Sequence, residues 1–388
     1  MSNLEKRSIM LNTIYNFGAS LVSMFITVYL YIYADSIPLM SLYIIVRIGC
    51  FPVFFILGNR LVKKYPFSLT YALGLSLITI ALTFTLFSGD LLGNNPLYIL
   101  LVAAIIGSGE GFYYFSQNTC NQIVSDVSTR AQFLACNGIF CNISSLLAPV
   151  FATFILSVYE DEMSGYRMML MVIVAIFIIV IIMAFTINIR SKDEDIPLSV
   201  SFDIKDKMWN DHNKAVVYYG FRNALELNTI SILVYNAAGS GGTYSRLQIL
   251  FSFMTIIAFR VVGRLLNRDR IEMTFKTGVV LKILCLVILI VMPNTVGAII
   301  YGVSNALAMV FYDNSYNFLS ANIIGRYQNE MTARVVVRET YLSVARCLAM
   351  GFIILCYRYL PGNLYLQVST LIISLAPIMV EKILIKYK

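Results

Sequence analysis

The stretch GFYYFSQNTCNQ, residues 111–122, decides how this sequence is read. It runs on without a break from PLYILLVAAIIGSGE, residues 96–110, a segment apolar enough to sit in lipid. Two tyrosines, a serine, two asparagines and two glutamines then appear where hydrocarbon should continue. On a helix, Glu110, Tyr113, Tyr114, Gln117 and Asn121 fall at i, i+3, i+4, i+7 and i+11, which is one face. Unsatisfied polar groups are costly in hydrocarbon, so that face must turn toward protein or an aqueous cavity.

The rest of the sequence places this helix among many others. Of 388 residues, 59% are hydrophobic and 13% charged, and the mean hydropathy is +0.76. Soluble domains carry about a quarter charged residues. Apolar runs of ~20 residues, each long enough to cross a ~30 Å hydrocarbon core as a helix, recur along the whole chain. The expected spans are 9–33, 38–58, 67–88, 96–120, 130–157, 166–189, 213–237, 243–264, 273–293, 295–320, 334–356 and 363–384. A transmembrane barrel would show short alternating segments instead. The expectation is therefore an all-α polytopic membrane protein. No cleavable leader is expected, since the first span is long and lacks a small-residue cleavage pattern after Lys6 and Arg7.

The net charge of +8 follows topology. With the N-terminus inside, the cytoplasmic segments hold most of the Lys and Arg, including Lys6, Arg7, Lys63, Lys64, Lys192 and Arg270. The opposite side holds Arg167, Arg246 and Arg358 beside Asp35, Asp90, Glu160, Asp161 and Glu162. This asymmetry follows the positive-inside rule and puts both termini in the cytoplasm, with a bacterial plasma membrane as the expected location. It excludes a nucleic-acid footprint. The seven cysteines lie in or beside expected spans without a CxxC pair and read as small buried apolar residues. No metal site and no cofactor are expected. His212, the single histidine, falls in the expected linker, which excludes a relay built on intramembrane histidine.

The longest polar stretch, RSKDEDIPLSVSFDIKDKMWNDHNK (190–214), separates six expected spans from six. The expected organisation is an N-terminal bundle (1–189), a cytoplasmic linker (190–212) and a C-terminal bundle (213–388). A shift of about 204 residues lays one half on the other. Tyr15 meets Tyr219, Phe17 meets Phe221, Arg60 meets Arg264, Lys64 meets Arg268, Thr70 meets Thr274 and Gly74 meets Gly278. With a slightly smaller shift FYYFSQN (112–118) lands on FYDNSYN (311–317), four identities in seven.

This organisation resembles the major facilitator superfamily. The superfamily's loop signature, Gly-x-Leu-x-Asp-Arg, is similar to Gly263-Arg264-Leu265-Leu266-Asn267-Arg268 between spans eight and nine. The first-half copy, Asn59-Arg60-Leu61-Val62-Lys63-Lys64, lacks both the glycine and the aspartate. Span five looks like a worn version of the superfamily's antiporter motif, with Ala135, Ser144, Ala148-Pro149, Ala152 and Thr153 at positions usually held by glycines around a proline. All of these are small, which keeps close helix contact available. The resemblance implies twelve transmembrane helices in two pseudo-symmetric six-helix bundles around a central cavity. It also implies that spans one, four, seven and ten line the cavity and that three, six, nine and twelve face lipid.

Polarity agrees with that implication. Span one offers Asn12, Asn16, Ser20, Ser23 and Thr27; span seven offers Tyr219, Arg222, Asn223 and Glu226; span ten offers Asn305, Tyr312, Asp313, Tyr316, Asn317 and Ser320. Spans three, six and twelve carry no such stripe. Lys282, in the middle of span nine, is the exception; it either pairs within the bundle or marks a misplaced boundary.

Ionisable residues cost roughly 2.5–3.5 kcal/mol each at the centre of a span and generally mark pathways or pairs. The expected substrate and coupling cavity comprises Arg47, Glu110, Tyr113, Tyr114, Gln117, Asn121, Arg222, Glu226, Tyr312, Asp313, Tyr316, Asn317 and Arg346. Glu110 and Asp313 are the candidate proton carriers, because a carboxyl in a low-dielectric cavity suits a protonation switch. The structural alternative is a fixed pair such as Glu110–Arg47. Arg222 and Glu226, at i and i+4, can satisfy each other. Arg60, Lys64, Arg264, Arg268, Arg338 and Glu339 form the expected cytoplasmic gate.

The expected function is proton-coupled export of an amphipathic organic compound by a monomeric secondary transporter. Tyrosine, asparagine and glutamine supply hydrogen bonds and aromatic surface to such a solute. Uptake of a polar or anionic nutrient, a lipid or glycolipid flippase, and a non-transporting sensor or assembly protein are the alternatives. An ATP-driven pump lacks its GxxxxGK[ST] motif, an intramembrane enzyme lacks HExxH or GxSxG, and duplicated halves suit alternating access better than a channel.

Overall fold

The computed structural model describes residues 2–62, 64–89, 91–124, 130–159, 161–187, 189, 206–262, 270–327, 331–362 and 364–387. Every regular element among them is helical, as lipid demands of a chain that must satisfy its own backbone. The chain divides into two compact units, Met1–Asp193 and Glu194–Lys388.

In the first unit the helices are α1 (Asn3–Ala34), α2 (Ile37–Val62), α3 (Phe67–Ser88), the single turn α4 (Leu91–Asn94), α5 (Pro96–Val124), α6 (Arg130–Val158) and α7 (Glu162–Ala184). Caps set several boundaries. Ser2 and Glu5 form a reciprocal capping box on α1, and the Asp161 carboxylate accepts from the first amides of α7. α5 packs on α2 and α3, while α1 packs on α6 and α7.

The second unit holds α8 (Lys207–Leu227), α9 (Thr229–Ala238), α10 (Gly241–Val262), α11 (Ile271–Val291), α12 (Thr295–Gly325), α13 (Met331–Tyr359), α14 (Leu364–Ser374) and α15 (Ala376–Leu384), ending in a 3-10 turn at Ile385–Tyr387. α11 packs on α12, and α8 on α13 and α15.

Two stretches of the second unit differ in detail from the expected spans. Among the described residues ten helices are long and apolar enough to cross a membrane, and the expected spans 213–237 and 243–264 are not among them. The first is interrupted at Asn228, whose φ of −143° and ψ of −68° separate α8 from α9, and its α8 half carries Arg222 and Glu226. The second, α10, carries Arg246 and runs into residues outside the described set. The linker also ends earlier than expected, because the Asp206 carboxylate caps α8 by accepting from Trp209 N–H at 3.1 Å. His212 is thus helical and fully buried instead of lying in a linker.

The duplication is visible in packing inside each unit. A Cβ on Gly74 of α3 would lie 2.7 Å from the Tyr113 nitrogen of α5, and one on Gly278 of α11 would lie 2.5 Å from the Tyr312 nitrogen of α12. Tyr71 and Tyr113 have ring centroids 5.5 Å apart, and Phe275 and Tyr312 repeat the contact at 5.4 Å. Tyr15 stacks on Tyr113 at 3.6 Å, as Tyr219 stacks on Tyr312 at 6.0 Å. The same sequence shifts thus superpose the same contacts, which marks two copies of one helical plan.

Candidate functional site

In the first unit the glycines of GSGEG position the charges. A Cβ on Gly107 would fall 1.9 Å from the Arg47 carbonyl oxygen, one on Gly111 2.6 Å from that of Phe51, and one on Gly109 2.6 Å from that of Gly74. Gly107 and Gly111 thus bring α5 flush against α2, and Gly109 brings it against α3. Glu110 consequently meets Arg47 fork to fork. Nε–H donates to Oε2 at 2.9 Å and Nη2–H to Oε1 at 2.5 Å. Arg47 also reaches the Tyr43 hydroxyl at 3.5 Å. The two side chains remain 17% and 19% accessible.

Gln117 and Asn121 join a hydrogen-bond network between helices. Asn12, fully buried on α1, donates to Asn121 Oδ1 at 3.1 Å and to Asn137 Oδ1 of α6 at 2.9 Å, and accepts from Gln117 Nε2 at 3.2 Å. This amide network ties α1, α5 and α6 together. Tyr113 is fully buried between Tyr15 and Tyr71 and belongs to the core; Tyr114 is half-buried and meets Tyr15 edge-on. A helical period identifies a face but not which of its residues the next helix covers.

In the second unit four charges converge. Lys282 Nζ lies 2.5 Å from Glu226 Oε1 and 3.3 Å from Asp313 Oδ2. Arg222 Nη1 lies 3.4 Å from the same Glu226 oxygen. The Tyr219 hydroxyl donates to Asp313 Oδ1 at 3.2 Å, and its ring lies parallel to that of Tyr316 at 3.8 Å. Arg222, Glu226 and Asp313 were expected here. Lys282 and Tyr219 were not in the expected set, although a charge in mid-span was the available signal. Tyr312 and Tyr316 are buried core residues, while Asn317 is exposed. Arg346 donates to Asn223 Oδ1 at 2.9 Å and so joins α13 to α8.

Of the expected gate residues, Arg338 and Glu339 pair with each other at 2.6 Å, and Arg60 and Lys64 are exposed. Arg264 and Arg268 lie outside the described residues. At the start of α8 the Arg334 guanidinium sits 3.6 Å from the Tyr327 ring centroid and 4.7 Å from that of Trp209. His212 stacks on Trp209 and bonds to Ser320 Oγ at 2.8 Å. The Tyr327 hydroxyl donates to the Asp206 carboxylate. Burial works to raise that carboxyl, but the Tyr327 and Trp209 hydrogen bonds outweigh it and hold Asp206 below its ordinary range. Among the described residues no group of His, Cys, Asp and Glu side chains is placed to hold a metal ion.

No family model matches the sequence. The chain is 21% identical over 367 residues to the uncharacterised protein YqgE of Bacillus subtilis (strain 168), covering 93% of this chain and 84% of that one. It is 27% identical over 143 residues, 37% of this chain, to an uncharacterised protein in the sodM 3′ region of Geobacillus stearothermophilus. Among solved structures, the nucleoside transporter NupG superposes with a TM-score of 0.71 at 13% identity, covering 100% of this chain and 99% of NupG. A bacterial homolog of the human lysosomal transporter Spinster, in an inward-facing and unoccupied conformation, gives 0.65 at 10% identity with coverage of 100% and 99%. At such identities the likeness is one of architecture, an all-helical fold matched from end to end.

Proposed function

We propose that the chain is a secondary active transporter that moves an amphipathic organic solute by alternating access and draws on the proton gradient. The observation that carries the proposal is the placement of charge. The duplicated plan is built in both units, yet each unit adds its mid-span charges at positions where the other has none. Arg47 and Glu110 correspond by the repeat shifts to Phe251 and Met309. A fold that stands without these charges does not need them, and their cost in hydrocarbon implies another use. The likeness of the fold to a nucleoside transporter and to a homolog of a lysosomal transporter supports the same reading.

Export in exchange for protons is the direction we favour, supported by the small-residue seam of α6. Ala148 and Ala152 are fully buried, and Asn16 Nδ2 of α1 donates to Cys141 O at 2.7 Å and Ser145 Oγ at 2.6 Å. In this reading the working unit is a monomer in a bacterial plasma membrane with both termini cytoplasmic.

The test is transport in liposomes under an imposed pH gradient with a panel of amphipathic compounds. A compound should accumulate on the side from which protons leave, and a protonophore should abolish the effect. Absence of both solute movement and proton flux would overturn the proposal. Glu110→Gln and Asp313→Asn should each cut gradient-driven accumulation by about tenfold or more, a loss of roughly 1.4 kcal/mol of coupling. If both variants retained full accumulation, neither residue would carry the proton.

A further inference from the structure

The four charges of the second unit are not equivalent. Lys282 is the most enclosed, 1% accessible, while the two carboxylates it touches are 26% accessible at Glu226 and 16% at Asp313. An ammonium therefore sits behind two carboxylates that can be reached. Around it α8 contributes Tyr219, Arg222 and Glu226, α11 contributes Cys285, and α12 contributes Asn305, Tyr312 and Asp313. With every group ionised, two cations balance two anions.

The repeat shows that this balance is an addition to the fold. Positions 204 residues before Arg222, Glu226 and Lys282 hold Gly18, Val22 and Ile78, and the position 199 before Asp313 holds Tyr114. The first unit builds the same packing around uncharged side chains there. Gly18 rests on Ile176 and Phe177, and a Cβ on Gly109 would meet Ile78. All four charges arise together in one copy, which is the pattern of a site and not of a scaffold.

We propose that Glu226 and Asp313 form a proton-binding site in the second unit and that Lys282 is its built-in counter-ion, shared by both carboxylates until one takes a proton. The inference rests on the transporter reading only for what the proton does, not for where it binds. Glu226 has two cations against one carboxylate oxygen, Lys282 at 2.5 Å and Arg222 at 3.4 Å. Asp313 has Lys282 at 3.3 Å and the neutral Tyr219 hydroxyl. Asp313 is the less compensated carboxylate and takes the proton. A hydronium-derived proton bonds to Asp313, the Lys282 ammonium keeps all three of its protons, and its attraction passes to Glu226. The cluster changes from neutral to +1. An unbalanced charge is poorly tolerated at low dielectric, so proton uptake weights the unit toward an arrangement that admits water or a compensating partner.

The experiment is an infrared pH titration of the full chain in liposomes, following the carbonyl stretch of a protonated carboxyl, a readout that needs no substrate. The wild type should show a component of this band growing as pH falls that Asp313→Asn removes, and the band below means that component. K282Q should show the band already at neutral pH, and K282R should behave like the wild type. If K282Q does not fold, the charge-balanced K282Q–D313N variant should fold and show no such band. An unchanged titration in K282Q, a persistent band in D313N, or a response to sodium at fixed pH would each overturn the assignment. In parallel, K282Q should lose gradient-driven accumulation by tenfold or more while retaining exchange of labelled solute across the membrane. Infrared results as expected with no transport by the wild type would remove the transporter reading and leave the proton site standing.

Discussion

Glu110 and Arg47 were both visible in the sequence as mid-span charges, and the sequence even allowed their pairing. Proximity was not legible, because it depends on glycines that let α5 lie against α2. The tyrosines were ambiguous for a related reason. Tyr113, Tyr312 and Tyr316 have an apolar body as well as a polar tip, so one face of a helix can present them to a core or to a cavity with equal ease. Two predictions belong to this scale. Breaking the Arg47–Glu110 pair by Arg47→Leu or Glu110→Leu leaves one charge uncompensated and should cost up to about 3 kcal/mol, the low end for buried pairs because both side chains are only partly buried. The double Leu variant should cost less than the two singles combined, as thermal melts in detergent would measure. Asp206 is the second case. Its folded-state value is depressed, so its stabilising effect is present above the unfolded value and is lost as pH falls through the folded one. Asp206→Ala should cost about 1 kcal/mol at neutral pH, as for a lost helix cap, and the difference from wild type should shrink in acid.

At the scale of elements, helix existence followed from hydropathy almost everywhere, because lipid leaves the backbone no other way to satisfy itself. The breaks did not. Asn228 divides α8 from α9 and Leu375 divides α14 from α15, and neither lies at a glycine. Pro377, in the first turn of α15, was a signal for the second break; the first had none as plain. Helix contacts give a sharper prediction. Gly107→Ala places a methyl where the Arg47 carbonyl oxygen already lies, so α5 must withdraw from α2. It should lower the melting temperature and loosen the Arg47–Glu110 pair. Gly138→Ala on α6, whose Cβ would meet nothing within 4 Å, should be neutral or slightly stabilising. Equal losses from both would show that helix propensity, and not close approach, governs these glycines.

At the scale of the molecule, the duplicated helical plan was readable because apolar patterning and a near-constant offset both survive divergence. Its asymmetry of charge was only half readable. Glu110 and Asp313 stood out singly, while the quartet needed α8, α11 and α12 folded together before Lys282 had a role. Topology offers a direct check on the charge reading. A fluorescent protein fused after Lys388 should fold and fluoresce in the cytoplasm, and an alkaline phosphatase fused there should be inactive. The opposite result would reverse the orientation and with it the side on which Arg338 and Glu339 sit.

The interruption at Asn228 has a mechanical meaning. Among the described residues its buried side-chain nitrogen and oxygen have no hydrogen-bonding partner, and its backbone leaves the helical course immediately after the turn that carries Glu226. A continuous helix is a stiff rod, and bending one means stretching its ladder of hydrogen bonds. Here the ladder is already cut. The element that holds two of the four charges is two rods and a joint, so a rearrangement of Glu226 around Lys282 is free to swing the α8 rod without carrying α9 along.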